Sequence, residues 1–286
     1  LADNSDTLHL LKDRATADND GNLRRAAIGA LASNFKNDPD TRSFLKDRAT
    51  ADNQWDVRYR AVKALASNFK DDPDTRSFIK DRATADNDGN VRGAAIEALA
   101  SNFKDDPDTR SILKDRATAD NQWNVRYVAV KALASNFKDD PDTCSILKDR
   151  ATADKSGNVR RAAIEALASN FKDDPDTRSF LKNLTTADNA WDVRGAAIEA
   201  LASNSLAKYF RYQPELFEIY YNCAVNDSFV GRHHPLRNSN PRHVALEIII
   251  KQFSQHLQTL PLLRDKAEND PDEQVRNFAQ QKLKQW

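Results

Sequence analysis

The chain has 286 residues, 40% of them hydrophobic and 30% charged, which suits one large or two small globular units and is too polar for a membrane span. Forty-three basic residues balance forty-three acidic ones, so no whole-molecule field draws the protein to nucleic acid or anionic lipid, and either would need a local patch. Two cysteines, Cys144 and Cys223, lie far apart with no CxxC, which points to a reducing compartment and a cytoplasmic location.

From the front, "LADNSDTLHLLKDR" opens inside what reads as an inter-unit loop, and no methionine occurs anywhere, so the expectation is a piece of a longer protein with an upstream domain. The phrase "LKDRATADN" then returns with a period of 34 residues, in varied form, from Leu11, Leu45, Ile79, Leu113, Leu147 and Leu181. Such a period predicts a solenoid of two-helix units. Residues 72–104 show the pattern. Asp72 can cap a helix, Pro73 suits its first position and Asp74 its positive dipole end, so the first helix is predicted over Pro73 to Asp86. A polar "NDGN" breaks it. Asn90 is the predicted cap of a second helix whose Val91, Ala95, Ala98 and Leu99 share one face, widened by Ile96. A lone unit cannot fold: about five large apolar side chains at roughly 1.5–3 kcal/mol each fall short of ordering it at about 1.5 kcal/mol per residue. Stacking is obligatory.

Six near-identical units fill residues 1–204, and two divergent ones fill 205–286. The seventh begins with "PELFEIYYNCAVND" at 214–227, continues through an inserted turn at 227–239 and resumes with "NPRHVALEIIIKQF" at 240–253. "TLPLLRDKAENDPDEQVRNFAQQKL" supplies the eighth. The inserted turn concentrates Arg232, His233, His234 and Arg237. It reads as a surface loop, an anion or partner contact, or a zinc site from Cys223, His233, His234 and His243 whose spacing matches no familiar pattern. The expectation is no metal and no cofactor. Acidic "DDPD" runs recur at helix starts, which favours capping over calcium. Cys144 replaces an Arg found at 42, 76, 110 and 178 and reads as neutral drift.

An Asp precedes an Arg by six residues in seven units, as in Asp52/Arg58, Asp86/Arg92 and Asp120/Arg126; the seventh unit departs, with Asn226 beside Asp227. Two-helix units with this Asp and Arg followed by A-x-x-A-L resemble HEAT repeats, especially the HEAT-like kind of bilin lyases. The resemblance implies an all-α, right-handed α-solenoid of about eight repeats, its second helices on the inner face, with the Asp–Arg pairs forming a structural ladder between units. The tail, "NPRHVALEIII" and the eighth unit, is similar to the C-terminal HEAT arrays of bacterial NACHT-type STAND NTPases. That likeness implies a sensor or autoinhibitory role. The chain itself has no G-x-x-x-x-G-K-[ST], so any ATPase lies upstream.

Copies at 45–78 and 113–146 differ at four positions, and those at 45–78 and 79–112 at nine, so the duplicated unit is 68 residues. The variation falls at three sites spaced by four on the second helix, which form one stripe. Along the chain its large or charged members include Arg25; Trp55, Tyr59 and Lys63; Trp123, Tyr127 and Lys131; Arg161; Trp191; and His243. The stripe lies opposite the apolar face and is expected to meet solvent. Trp and Gly share one site, so that site does not demand a positive φ. Exposed Trp, Tyr and Arg are the residue types of binding hot spots. The rival reading has each Trp folded over a neighbouring Gly turn as a packing device. The function expected is protein recognition without catalysis, on a partner or an upstream domain of the same chain. Bilin lyase-like and nucleic-acid-binding roles are the alternatives.

Overall fold

The structure is a computed structural model that describes residues 2–203, 214–229 and 240–286, the side chains of 2–4 and 214 excepted. Every regular element among these residues is an α-helix: α1 (Ala2–Ala17), α2 (Gly21–Asn34), α3 (Thr41–Ala51), α4 (Trp55–Asn68), α5 (Pro73–Ala85), α6 (Gly89–Asn102), α7 (Pro107–Ala119), α8 (Trp123–Asn136), α9 (Pro141–Ala153), α10 (Gly157–Asn170), α11 (Pro175–Ala187), α12 (Trp191–Ala202), α13 (Pro214–Asn226), α14 (Pro241–Gln252), α15 (Thr259–Asn269) and α16 (Glu273–Leu283). They form eight consecutive pairs. The chain divides into two compact units, residues 1–146 and 147–286.

The first helices α3, α5, α7, α9 and α15 offer a narrow buried stripe of a threonine, a large aliphatic residue and an alanine spaced by four, as in Thr75, Ile79 and Ala83, all fully buried. Each second helix is buried more broadly: in α6, Val91, Ala94, Ala95, Ile96, Ala98, Leu99 and Ala100 are all inside. The reason is its neighbours. Within each unit a second helix packs on its own first helix and on second helices of adjoining repeats, whereas first helices touch one another far less. Alanine at so many of these positions lets the second helices approach closely.

The turns are built from the repeated sequence. Asp72 and Asp106 accept hydrogen bonds from the first backbone N–H groups of α5 and α7, with Pro at the first helical position. The second helix α6 is capped by Asp88, which accepts from Asn90 N–H; Asn90, the predicted cap, lies inside the helix because the helix starts at Gly89. Phe69, Phe103 and Phe137 end their helices by donating N–H to the carbonyls of Leu65, Leu99 and Leu133, each at 2.9 Å.

The first and last repeats depart from the interior ones. Leu23 stands at the position of Val57, Val91 and Val125, which are fully buried, yet it is 52% exposed, and Leu10 is 56% exposed. Positions that bury Ile96 and Ala100 in the interior carry the exposed Gln280 and Lys284 in the last repeat.

Candidate functional site

The Asp–Arg pairs form a run of bidentate contacts between successive repeats. Arg58 donates from Nε and Nη2 to Asp86 at 3.1 and 3.0 Å, and from Nη1 to the carbonyl of Asp52 at 2.9 Å. Arg24 and Arg92 repeat this on Asp52 and Asp120. Arg126 donates from Nη1 to the carbonyl of Asp120 at 2.8 Å. In the second unit Arg194 grips Asp227 at 2.6 and 2.8 Å, so the departure at Asn226 leaves a complete contact. Bonds to the aspartates drive the Arg24, Arg92 and Arg194 guanidinium pKa further up. Arg24, Arg58, Arg92 and Arg194 are buried with every guanidinium nitrogen engaged, which leaves these forks little capacity for a ligand.

A second set of contacts links the first helices, and the sequence reading passed over it. Lys80 pairs with Asp106 at 2.6 Å and Asp108 at 2.8 Å, and Lys114 with Asp140 and Asp142 at 2.8 and 2.7 Å. The "DDPD" aspartates therefore both cap their helix and hold the lysine of the preceding repeat. Burial pushes the Asp106 and Asp140 carboxyls up, but the bonds from lysine and backbone together outweigh it and hold both below the usual carboxylate range.

The stripe residues separate into three environments. In the first unit Trp55 and Trp123 are 44% and 48% exposed. Each meets the tyrosine one turn on edge-to-face, Trp55 with Tyr59 at 6.3 Å and Trp123 with Tyr127 at 6.4 Å. Lys63 and Lys131 then lie over the tyrosine rings at 5.5 and 5.4 Å. In the second unit Trp191 is half-buried against Phe229, ring centroids 5.2 Å apart. Arg161 is committed to Glu165 and Glu199 at 2.9 and 3.1 Å. His243 is 5% exposed and packs on Phe278 at 4.1 Å, so it is a core residue and not part of a solvent-facing stripe. The reason is the large aromatic Phe278 that the last repeat places at this contact.

The glycine copies of the stripe differ in how closely the next repeat approaches them. No glycine among the described residues has positive φ. A Cβ on Gly21 would fall on the Gln54 side chain and one on Gly89 on Gln122, while one on Gly157 would lie 2.7 Å from Asp192. Gly21 and Gly89 are thus covered by the glutamine just before the next repeat's Trp, and the Trp itself stays outside. The atoms nearest the Cβ positions of Gly21 and Gly89 are those of Gln54 and Gln122, while Trp55 and Trp123 stand half exposed.

Between α2, α4 and the start of α6 the first unit holds an open groove of about 630 Å³, lined by Asn22, Arg25, Ala26, Trp55, Asp56, Tyr59, Arg60 and Asn90. Arg25 contacts Asp56 at 3.6 Å across its floor. Arg232, His233, His234 and Arg237 lie outside the described residues. Cys223 is buried, its thiol 4.0 Å from the Thr185 carbonyl, and burial pushes its pKa up to about 11. No group of three or more metal-ligating side chains occurs among the described residues, and no helix there is long and apolar enough to cross a membrane.

Two-helix repeats that stack through their second helices within each unit define an α-solenoid repeat protein. The family model of HEAT repeats matches residues 8–100 and 110–202, more than half of the chain, and the protein belongs to the HEAT-repeat family. No curated protein sequence matches it. Among solved structures it is similar to the E. coli protein YIBA, at 19% identity and TM-score 0.55, over 98% of this chain and 96% of that one. It is also similar to Kap121p, at 18% identity and TM-score 0.59, where 96% of this chain covers 32% of the other. Kap121p bound to Nup53p gives 19% identity and TM-score 0.59, over 92% of this chain and 29% of that one. At these identities the likeness is one of fold.

Proposed function

We propose that this protein is a non-catalytic recognition module that binds a protein partner on the second-helix face of residues 1–146. The observation that carries the reading is the half-exposure of Trp55 and Trp123, each braced edge-on by a tyrosine in a repeat whose other large apolar residues are buried or half-buried. Rigid, partly exposed aromatics flanked by cations make strong interface anchors, because they bury much apolar area at little conformational cost. A fold neighbour, Kap121p, has been solved bound to another protein, Nup53p, which supports protein binding as a use of this architecture. Within that reading we assign the chain to the sensor or autoinhibitory repeat region of a larger STAND-type NTPase, on the likeness of the tail at 240–286.

The test is partner capture from native lysate with the wild type and a Trp55→Gly/Trp123→Gly variant. Glycine already occupies the same helix position in α2, α6 and α10, so the variant is expected to fold. Loss of the captured partners is expected. Retention of all of them by a folded variant overturns the recognition face, and a full-length gene without a nucleotide-binding domain overturns the STAND assignment.

A further inference from the structure

The two tryptophan copies serve as an internal comparison. Asp56 and Arg60 beside Trp55 correspond to Asn124 and Val128 beside Trp123. In the repeat before each, Arg25 and Gly29 correspond to Gly93 and Glu97. The same Trp, Tyr and Lys therefore sit in two chemical settings. Around Trp123 no arginine stands at these positions. Around Trp55 there are two, and Gly29 makes room for one of them: a Cβ there would lie 2.8 Å from Arg60 Nη2, so a larger residue would displace the guanidinium from α2.

The groove's charges are only partly spent. Arg25 is 47% exposed and meets Asp56 at the long distance of 3.6 Å, and Lys63 meets Glu97 at 3.7 Å. Arg60 is exposed and has no carboxylate partner among the described residues. Two cations against one groove carboxylate leave a net positive floor beside an aromatic wall. Arginine is weakly hydrated and presents its donors as a planar fork, which suits a carboxylate better than it suits water.

We infer that the Trp55 groove takes an acidic segment of a protein partner, with a carboxylate between Arg25 and Arg60 and an adjacent aromatic or aliphatic side chain against Trp55 and Tyr59. This rests on the protein-recognition reading above and names its partner's chemistry. Charge complementarity selects the occupant. One unpaired cation accommodates one or two carboxylates, whereas a phosphate backbone needs a run of cations and would meet Asp56 and Glu97 at the rim.

The probe is a fluorescein-labelled peptide with a Glu-Phe-Glu core, titrated into the full chain by fluorescence anisotropy beside its Gln-Phe-Gln analogue and a single-stranded oligothymidylate. Arg60→Val and Gly29→Glu import residues that Val128 and Glu97 already place in other repeats, so both variants keep the fold, which circular dichroism verifies. The acidic peptide is expected to bind the wild type and to lose about tenfold in Kd with Arg60→Val, with Gly29→Glu and with the Gln-Phe-Gln analogue. Trp55→Gly removes binding, and Trp123→Gly leaves it unchanged. Equal binding of the two peptides, an unchanged Kd in Arg60→Val, or no binding at millimolar protein overturns the inference. Tighter binding of oligothymidylate than of peptide also overturns it, in favour of nucleic acid. If lysate partners are lost with Trp123→Gly alone but kept by Trp55→Gly, the recognition reading stands and only this inference falls.

Discussion

Arg92 holds Asp120 of the next repeat with both faces of its fork, Nε to Oδ2 at 2.8 Å and Nη2 to Oδ1 at 2.7 Å, while Nη1 donates back to the carbonyl of Asp86 at 2.8 Å. One side chain thus ties the start of its own helix to the repeat ahead. The pair is buried, so its cost of desolvation is met only if every bond is made. Arg92→Ala leaves the Asp120 carboxylate short of its main partner and is expected to cost about 3–5 kcal/mol, most of it in the contact between α6 and α8. Urea unfolding and hydrogen exchange in those helices check this. Arg92→Lys should recover only part of the loss, because an ammonium cannot make the bidentate contact.

The exposure of Leu23 predicts an asymmetry among equivalent positions. Leu23→Lys is expected to change stability by less than about 0.5 kcal/mol, since the side chain is already half in water. Val91→Lys, at the same repeat position but fully buried, is expected to unfold its repeat. Paired thermal melts decide it; equal effects would show that both positions are solvated.

The carboxylates of Asp106, Asp120 and Asp140 are all held below the usual range. For each, burial acts upward and is outweighed by bonds and charges from Lys80, Arg92 or Lys114 and from backbone N–H groups. A carboxyl whose pKa is lowered on folding contributes stability that is present above its unfolded pKa, about 3.9, and is lost as pH falls through the folded value. Stability is therefore expected to be insensitive to these groups from pH 7 to about 5 and to drop below about pH 4. Asp106→Asn/Asp140→Asn should be less stable at pH 7 and show a shallower loss in acid, followed by circular dichroism melts across that range.

The two thiols should behave differently. Cys223 is buried and its pKa is pushed up to about 11, so it holds almost no thiolate near neutrality, whereas Cys144 is partly exposed. Titration of the native protein with an aromatic disulfide at pH 8 is expected to count one fast thiol, and two after unfolding. Two fast thiols in the native state would show that the packing around α13 opens readily.

Much of the fold was legible because a repeated sequence reports its own rules many times over. The spacing of Val91, Ala95 and Leu99, Pro73 at a helix start and the 34-residue period determined helix pairs, their number and the need to stack, since local propensity and apolar periodicity agree at every copy. The candidate surface was legible in part: the 68-residue beat picked out Trp55 and Trp123, which stand half in solvent. What only the tertiary structure decided is which neighbour each side chain meets. His243 shares the stripe's register and is buried by Phe278. Gln54 supplies the atoms nearest the Cβ position of Gly21. Lys80 reaches two aspartates a repeat away, and Arg60 lies over Gly29 instead of pairing with a carboxylate. Position on a helix is fixed by sequence spacing, but burial and partnering depend on the rotation and distance of the next repeat, which no single repeat encodes.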